Sequence, residues 1–428
     1  MPDSTATPMP LTAEDIRDES AVGNGRLVSN SIVMAAANVL SRGVGYLLII
    51  LMARRLESQY LGAYAIWVTT SMLLELVANL GLDKIIVREM TAGSAATGKG
   101  YFWTALPVRF GMALLCVITG SLLLNRFFGS SLLASPLDSV VYLSAIFPLT
   151  AARNCEAFLT AHEKMFPIAA AQLSERVIML GAVVLLVSGA ITFGGLLRFA
   201  PLAASFRLAI AARSTATLWT THVTPQFPKL RCLIRQAVEL LSVEILAMVY
   251  FRSDVFILAN VDGLRDTGVY QVTYKIFDFC LSLFAGFLQA AFPRIIRNRS
   301  RAPLKQMLTW GAVVIAVPSG VLILARHIIL HALRPEYVKG SVSLVWLMCT
   351  VPLVYVTSTL ANAAIAAGRV KILIGLAALL LVSNIGLNLL LIPKWGINGA
   401  AFSTFACELL SATILGPIIL RALPEPVE

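Results

Sequence analysis

Apolar residues in this chain arrive in long blocks, not in the two-residue alternation of strands or the narrow stripes of surface helices. The blocks fall at about 27–53, 60–81, 104–124, 139–159, 166–187, 190–211, 233–260, 267–291, 307–331, 341–367, 372–392 and 396–420. A helix needs about 20 mostly apolar residues to cross the hydrocarbon core of a bilayer. The pattern therefore predicts an all-α membrane protein of twelve transmembrane helices, with no soluble domain between them. The fifth and sixth blocks are the least separated, joined only by Ser188 and Gly189. The longest internal break runs from Arg213 to Arg231 and holds Pro225 and Pro228. It divides the chain into two lobes of six helices. The expected organisation is a disordered cytoplasmic tail at 1–26, a lobe over 27–211, a cytoplasmic linker at 212–232, a second lobe over 233–421 and a short tail at 422–428.

Composition agrees and excludes whole classes. The chain is 58% hydrophobic and 13% charged, where soluble domains hold roughly 25% charged residues. A soluble enzyme, a nucleic-acid-binding domain and a disordered scaffold are ruled out. The net charge of +11 looks like an invitation to an anionic ligand until its position is read. Eighteen Lys and Arg lie in the N-terminal tail, the even-numbered loops and the C-terminus, against eight in the odd-numbered loops. That asymmetry places both termini in the cytoplasm. Eight basic and eight acidic side chains inside the blocks cancel. The whole excess is thus a topology signal and says nothing about cargo.

Motifs for enzymatic chemistry are missing or broken. GSAATGKG at 93–100 approaches a phosphate-binding loop but puts Gly100 where the magnesium-binding hydroxyl belongs. The six cysteines and four histidines are scattered and suggest neither a disulfide framework nor a metal site. The expectation is a protein without enzymatic activity or cofactor. Charges within the blocks are more telling, because each costs roughly 2.5–3.5 kcal/mol on insertion scales. Each must pair, snorkel or face water. Arg153 and Glu156 stand three apart and are expected to pair; Arg109 and Glu239, near block ends, are expected to snorkel. Glu175 and Arg176 are adjacent and need partners on other helices. Arg252 and Asp254 in the seventh block match Lys275 and Asp278 in the eighth in depth. They form either a mutual salt-bridge network or one wall of a transport cavity. Arg42 lies in a block with no acid at all, beside Asn30, Asn38 and Ser41, and so needs a distant partner or a ligand. A faint repeat joins Gly62 and Tyr64 to Gly268 and Tyr270, 206 residues later, as in transporters built from duplicated halves.

Three stretches have a family look. ARRLESQYLGAYAI (53–66) with NLGLDKIIVRE (79–89) resembles the opening of the oligosaccharide flippases of O-antigen and exopolysaccharide export, within the multidrug and polysaccharide exporter superfamily. YFRSDVFILAN (250–260) with TGVYQVTYKI (267–276) is similar to the start of that family's second half, and NIGLNLLLIPKWGINGAAFST (384–404) to its last two helices. The resemblance implies a V-shaped pair of six-helix lobes with alternating access to a central cavity in the bacterial cytoplasmic membrane. It implies a polyprenyl-diphosphate-linked oligosaccharide as cargo, moved to the outer leaflet, with a polysaccharide polymerase and export machinery as partners beside the membrane lipids. No nucleic acid is expected. Arg42, Asn38, Arg252 and Lys275 become candidates for the cargo site, and Glu244, Asp254 and Asp278 for coupling to an ion gradient. The alternatives are a cation-coupled drug exporter of the same superfamily, against which stands the acid-free first block, and an envelope polymerase or ligase, against which stand the short odd-numbered loops.

The charge asymmetry fixes an orientation that labelling can check. In intact cells an impermeant thiol reagent should modify a cysteine placed at Gly340 and leave one at Ser300 untouched. Modification at Ser300 would reverse the orientation.

Overall fold

The structure, a computed structural model, describes residues 39–92, 95–129, 135–219, 230–297, 301–366 and 369–422. Among them there are helices and turns and no strand. Helix α1 spans 39–55. It is followed by α2 (Ser58–Asn79), α3 (Leu82–Ala92), α4 (Ala95–Phe127), α5 (Pro136–Leu143), α6 (Ile146–Ala161), α7 (Met165–Val187) and α8 (Phe193–Leu218). The second half holds α9 (Leu230–Val261), α10 (Gly263–Arg297), α11 (Arg301–Leu333), a 3-10 turn (Pro335–Gly340), α12 (Ser341–Ala366), α13 (Val370–Trp395) and α14 (Ile397–Ala422).

Every apolar block becomes one rod. The fourth rod is α5 and α6 in line, interrupted at Ser144–Ala145. Eight helices are long and apolar enough to cross a membrane on length and composition alone: α2, α4, α7, α8, α11, α12, α13 and α14. The other four rods are α1, α5–α6, α9 and α10. The last two carry the charges that the site uses. Block reading missed α3, which is amphipathic: Leu82, Ile85 and Ile86 are buried while Asp83, Lys84, Arg88 and Glu89 share its other faces. Leu80 and Gly81, both at positive φ, reverse the chain after α2 so that α3 folds back under α4, α6 and α9. A left-handed leucine is costly; Leu80 is buried in the cluster that α3 builds with Leu233, Ala237 and Leu241 of α9.

In the first lobe α6 is the central helix, packed on α2, α3, α4 and α8, with α7 against α8. In the second lobe α12 has that role between α10, α11 and α14, and α13 joins α14 to α9. The lobes meet where α2 packs on α10 and α9, and where α3 packs on α9.

The α2–α10 crossing settles the repeat. A Cβ on Gly62 would stand 1.9 Å from the carbonyl oxygen of Leu264, and one on Gly268 would stand 1.8 Å from that of Ser58. Ser58 and Leu264 are themselves 206 residues apart, so the contact is reciprocal under the duplication. Without a hydrophobic drive between helices in lipid, such close backbone approach through small residues is how they hold together. Around it, Ser58 donates from its backbone N–H and its hydroxyl to the Glu336 carboxylate, each at 3.2 Å, and Arg334 donates to the Leu56 carbonyl at 2.6 Å. This is the end of the bundle that the Lys and Arg count assigns to the outside. Nearby, burial and the charge of Asp266 push the Asp262 carboxyl above its usual range, with Lys339 opposing.

Gly340 is a poor labelling site, since it is buried and a Cβ there would meet the Thr273 methyl at 2.7 Å; Ser300 lies outside the described residues. Arg55, exposed in the first loop, reports the same side of the membrane. The crossing yields its own test. Gly268→Val should prop this end open, so that a cysteine replacing the fully buried Ser58 reacts with a water-soluble maleimide. An unreactive cysteine in that background would contradict the close-packed crossing.

Candidate functional site: a charged cleft between the lobes

The first lobe satisfies its charges internally. Arg207 of α8 grips Glu156 of α6 in a two-pronged contact, Nε to Oε1 at 2.7 Å and Nη2 to Oε2 at 2.9 Å, and reaches Glu175 of α7 at 2.8 Å. Arg109 of α4, wholly buried, binds Asp83 of α3 and the Thr150 carbonyl. Arg153 of α6 donates from Nε to Glu75 of α2 at 2.6 Å. Two expectations are corrected here. Arg153 and Glu156 do not pair, because they turn to different neighbours, Glu75 and Arg207. Arg109 does not snorkel; its carboxylate comes from α3, an element that block reading did not foresee. Glu175 does find its partner on another helix. The Glu239 side chain lies outside the described residues.

The second lobe holds its two buried carboxylates, Asp254 and Glu408, with hydroxyls in place of ion pairs. Asp254 of α9 is buried and accepts from the Tyr270 hydroxyl at 2.6 Å and the Val255 N–H at 2.8 Å. Glu408 of α14, also buried, accepts from the Thr357 hydroxyl at 2.8 Å and the Tyr250 hydroxyl at 3.1 Å. Sequence reading counted Glu408 among the intramembrane acids and gave it no role; its partners lie 51 and 158 positions away, beyond any local spacing. Glu244 of α9 forms an ion pair with Lys84 of α3 at 2.6 Å, which ties the lobes together at the expected cytoplasmic end.

Of the two alternatives for the charges of the seventh and eighth blocks, a mutual four-charge salt-bridge network does not form among the described residues, which pair only Lys275 with Asp278. Asp254 turns into its own lobe toward Tyr270. Arg252 lies over the Tyr274 ring, 5.3 Å from its centre, a cation–π contact. Lys275 and Asp278 pair along α10 at 3.4 Å. Antiparallel packing at matching depth was legible, but which way each side chain leaves its helix was not.

What gathers instead is a set of cations near Lys275 and Tyr46, where α1 and α10 meet. Lys275 borders a cavity of about 230 Å³ walled by Tyr46, Ile49, Ile50 and Ala53 of α1 and by Val272 and Phe279 of α10. The Tyr46 and Phe279 rings meet edge to face at 5.2 Å. Arg252 and Arg176 stand near enough to repel the Lys275 ammonium. Arg42, exposed on α1, and Asp278 both act on the Tyr46 hydroxyl. Sequence reading named Arg176 only as a charge in need of a partner; the fold adds it to Arg42, Arg252 and Lys275. Asn38 lies outside the described residues. The cleft thus offers guanidinium and ammonium donors beside an apolar wall, a combination suited to an anionic head on a hydrocarbon tail.

Comparisons with known proteins bear on the family and the fold. The family model described as "Polysaccharide biosynthesis protein" matches residues 27–299. No curated protein sequence matches the chain. The fold is similar to that of lipid II flippase MurJ in an inward closed conformation, with a TM-score of 0.75 at 16% identity over 90% of this chain and 86% of that one. It is also similar to a multidrug resistance MATE family transporter in an inward-facing conformation, with a TM-score of 0.72 at 12% identity over 89% of this chain and 95% of that one. An outward-facing MATE family transporter gives 0.64 at 12% identity over 92% and 96%.

The two kinds of charge predict two kinds of mutant. Arg207→Leu strands Glu156 and Glu175 and should lower stability by about 3–5 kcal/mol, the typical cost of removing one partner of a buried ion pair. Arg42→Ala, which breaks no ion pair among the described residues, should leave the thermal unfolding of the detergent-solubilised protein unchanged. Equal destabilisation by both would remove the distinction between a structural first lobe and a cleft held open for cargo.

Proposed function

The chain belongs to the polysaccharide biosynthesis protein family, and from that premise we propose that it flips a polyprenyl-diphosphate-linked oligosaccharide from the cytoplasmic to the outer leaflet. The setting is the bacterial cytoplasmic membrane, with both termini inside, and the product feeds a polysaccharide polymerase and its export machinery for O-antigen or exopolysaccharide. The observation that carries this reading is the placement of Lys275. Its side chain lines an apolar cavity between α1 and α10, and the charges of Arg176, Arg252 and Asp278 act on its ammonium, with Arg42 near Tyr46 of the same cavity. A diphosphate takes the cations and the polyprenyl chain takes the apolar wall. The work is translocation, with no covalent step and no cofactor.

Alternating access follows from contacts at both ends of the cleft. On the outer side the Gly62–Gly268 crossing and Glu336 hold the lobes shut; on the inner side Lys84 and Glu244 join them. Loading breaks the inner contact, and release breaks the outer one. For coupling to an ion gradient the candidates are Glu244, Asp254 and Asp278, and we add Glu408. Asp254 and Glu408 suit protonation best, since only hydroxyl and N–H donors touch them. The cation-coupled drug exporter is favoured by fold alone. A drug cation would meet like charges in this cleft, and the described α1 carries no acid.

Surface glycan per membrane-inserted protein tests the reading. Removing Arg42 takes away charge-assisted hydrogen bonds worth about 1.5–3 kcal/mol each, so Arg42→Ala should cut export roughly tenfold or more with insertion unchanged. Arg42→Lys keeps the charge without the fork and should retain part of the activity. A deletion strain that keeps its glycan and becomes drug-sensitive would refute the flippase and favour the exporter.

A further inference from the structure

The central helix of the first lobe is sealed except at one place. From Leu149 to Leu159 every residue of α6 is buried apart from Arg153. A helix facing lipid would show an exposed stripe; a single opening at an arginine marks an internal aperture. Arg153 is 39% exposed, its partner Glu75 14% and the neighbouring Asp83 28%. Arg153 spends only Nε on a hydrogen bond, to Oε1 of Glu75, and its Nη1 stands 3.8 Å from Asp83, beyond hydrogen-bonding distance. Among the described residues nothing else takes its remaining N–H groups, and nothing donates to Oε2 of Glu75. The buried Arg207 and Glu156 are by contrast bound in two-pronged contact, with Arg207 also reaching Glu175.

We propose that the Glu75–Arg153 edge, flanked by Asp83, is a glycan subsite that binds the vicinal hydroxyls of the sugar residues next to the diphosphate. The proposal rests on the flippase reading and deepens it. A vicinal diol presents one hydroxyl to donate and one to accept, and a guanidinium beside a carboxylate supplies the complementary acceptor and donor in one plane. Charge separates this wall from the opposite one. Within these ion-pair networks four carboxylates (Glu75, Asp83, Glu156, Glu175) meet three guanidiniums (Arg109, Arg153, Arg207), a slight local acidic excess that repels phosphate. Three arginines and Lys275 against Asp278 attract phosphate across the cleft. The two groups of charges therefore divide the cargo, with sugar at α2, α3 and α6 and diphosphate at α1, α7, α9 and α10.

The test is equilibrium binding to the full chain in lipid nanodiscs with two probes: bare undecaprenyl diphosphate, and the same carrier bearing a neutral disaccharide with vicinal hydroxyls. Two charge-assisted hydrogen bonds predict that the wild type holds the glycosylated carrier at least about a hundredfold more tightly. Glu75→Gln, which keeps size and an acceptor, should bring that ratio close to one while leaving the affinity for the bare carrier unchanged. Lys275→Ala should weaken both probes equally and keep the ratio. A wild-type ratio of one overturns the glycan subsite whatever the variants do, and leaves the flippase standing if bare carrier still binds. Equal loss of both probes in Glu75→Gln overturns it too. Failure of either carrier to bind the wild type, with a cationic dye binding instead, overturns the flippase reading itself.

Discussion

The cost of carrying charge through a hydrocarbon slab governs this structure. An unpaired ionised side chain in lipid is costly, so each one decides which face its helix turns inward. The first lobe meets that cost by direct ion pairing, with Arg109, Arg153 and Arg207 each set against carboxylates from other helices. The second lobe meets it with tyrosine and threonine hydroxyls around Asp254 and Glu408. Arg42, Arg176, Arg252 and Lys275 are met by neither device in full. They gather around Lys275 and Tyr46 with Asp278 as the carboxylate beside them, and the group is net cationic because the lobes have used most of their acids elsewhere.

Bringing the lobes together is a separate problem, solved with backbone. Gly62 and Gly268 let α2 and α10 approach until each helix lies on a carbonyl of the other. Such a contact has no side chains to repack and is either made or broken. That suits a gate between two discrete arrangements. The polar contacts around it, Ser58 with Glu336 and Arg334 with the Leu56 carbonyl, exchange readily with water once the helices part. The Lys84–Glu244 pair at the opposite end is a half-exposed contact of the same exchangeable kind.

Much of the architecture was legible because hydropathy is a local property. Among the described residues the twelve blocks fall on twelve rods, and Gly62 and Gly268 were visible as a repeat before they were seen to touch. What was hidden is lateral. The short α3 has too few apolar residues to form a block, yet it supplies Asp83 to Arg109 and Lys84 to Glu244. Side-chain direction was also hidden: Arg153 and Glu156 have ideal spacing for a pair within one helix, and tertiary partners on α2 and α8 outbid that spacing. Arg176 and Glu408 gave no local sign of their roles, because the groups that define them arrive from other helices.

The central claim is that a cationic cleft moves a lipid with an anionic head across the bilayer. Proteoliposomes loaded with a fluorescent polyprenyl-diphosphate disaccharide test it directly, with a membrane-impermeant quencher added outside. Protein-dependent quenching should extend beyond the share of lipid in the outer leaflet, and should fall back to that share when Arg42, Arg252 and Lys275 are replaced together by alanine in a chain that still inserts. Full-rate quenching by the triple variant, or none by the wild type, would contradict the account.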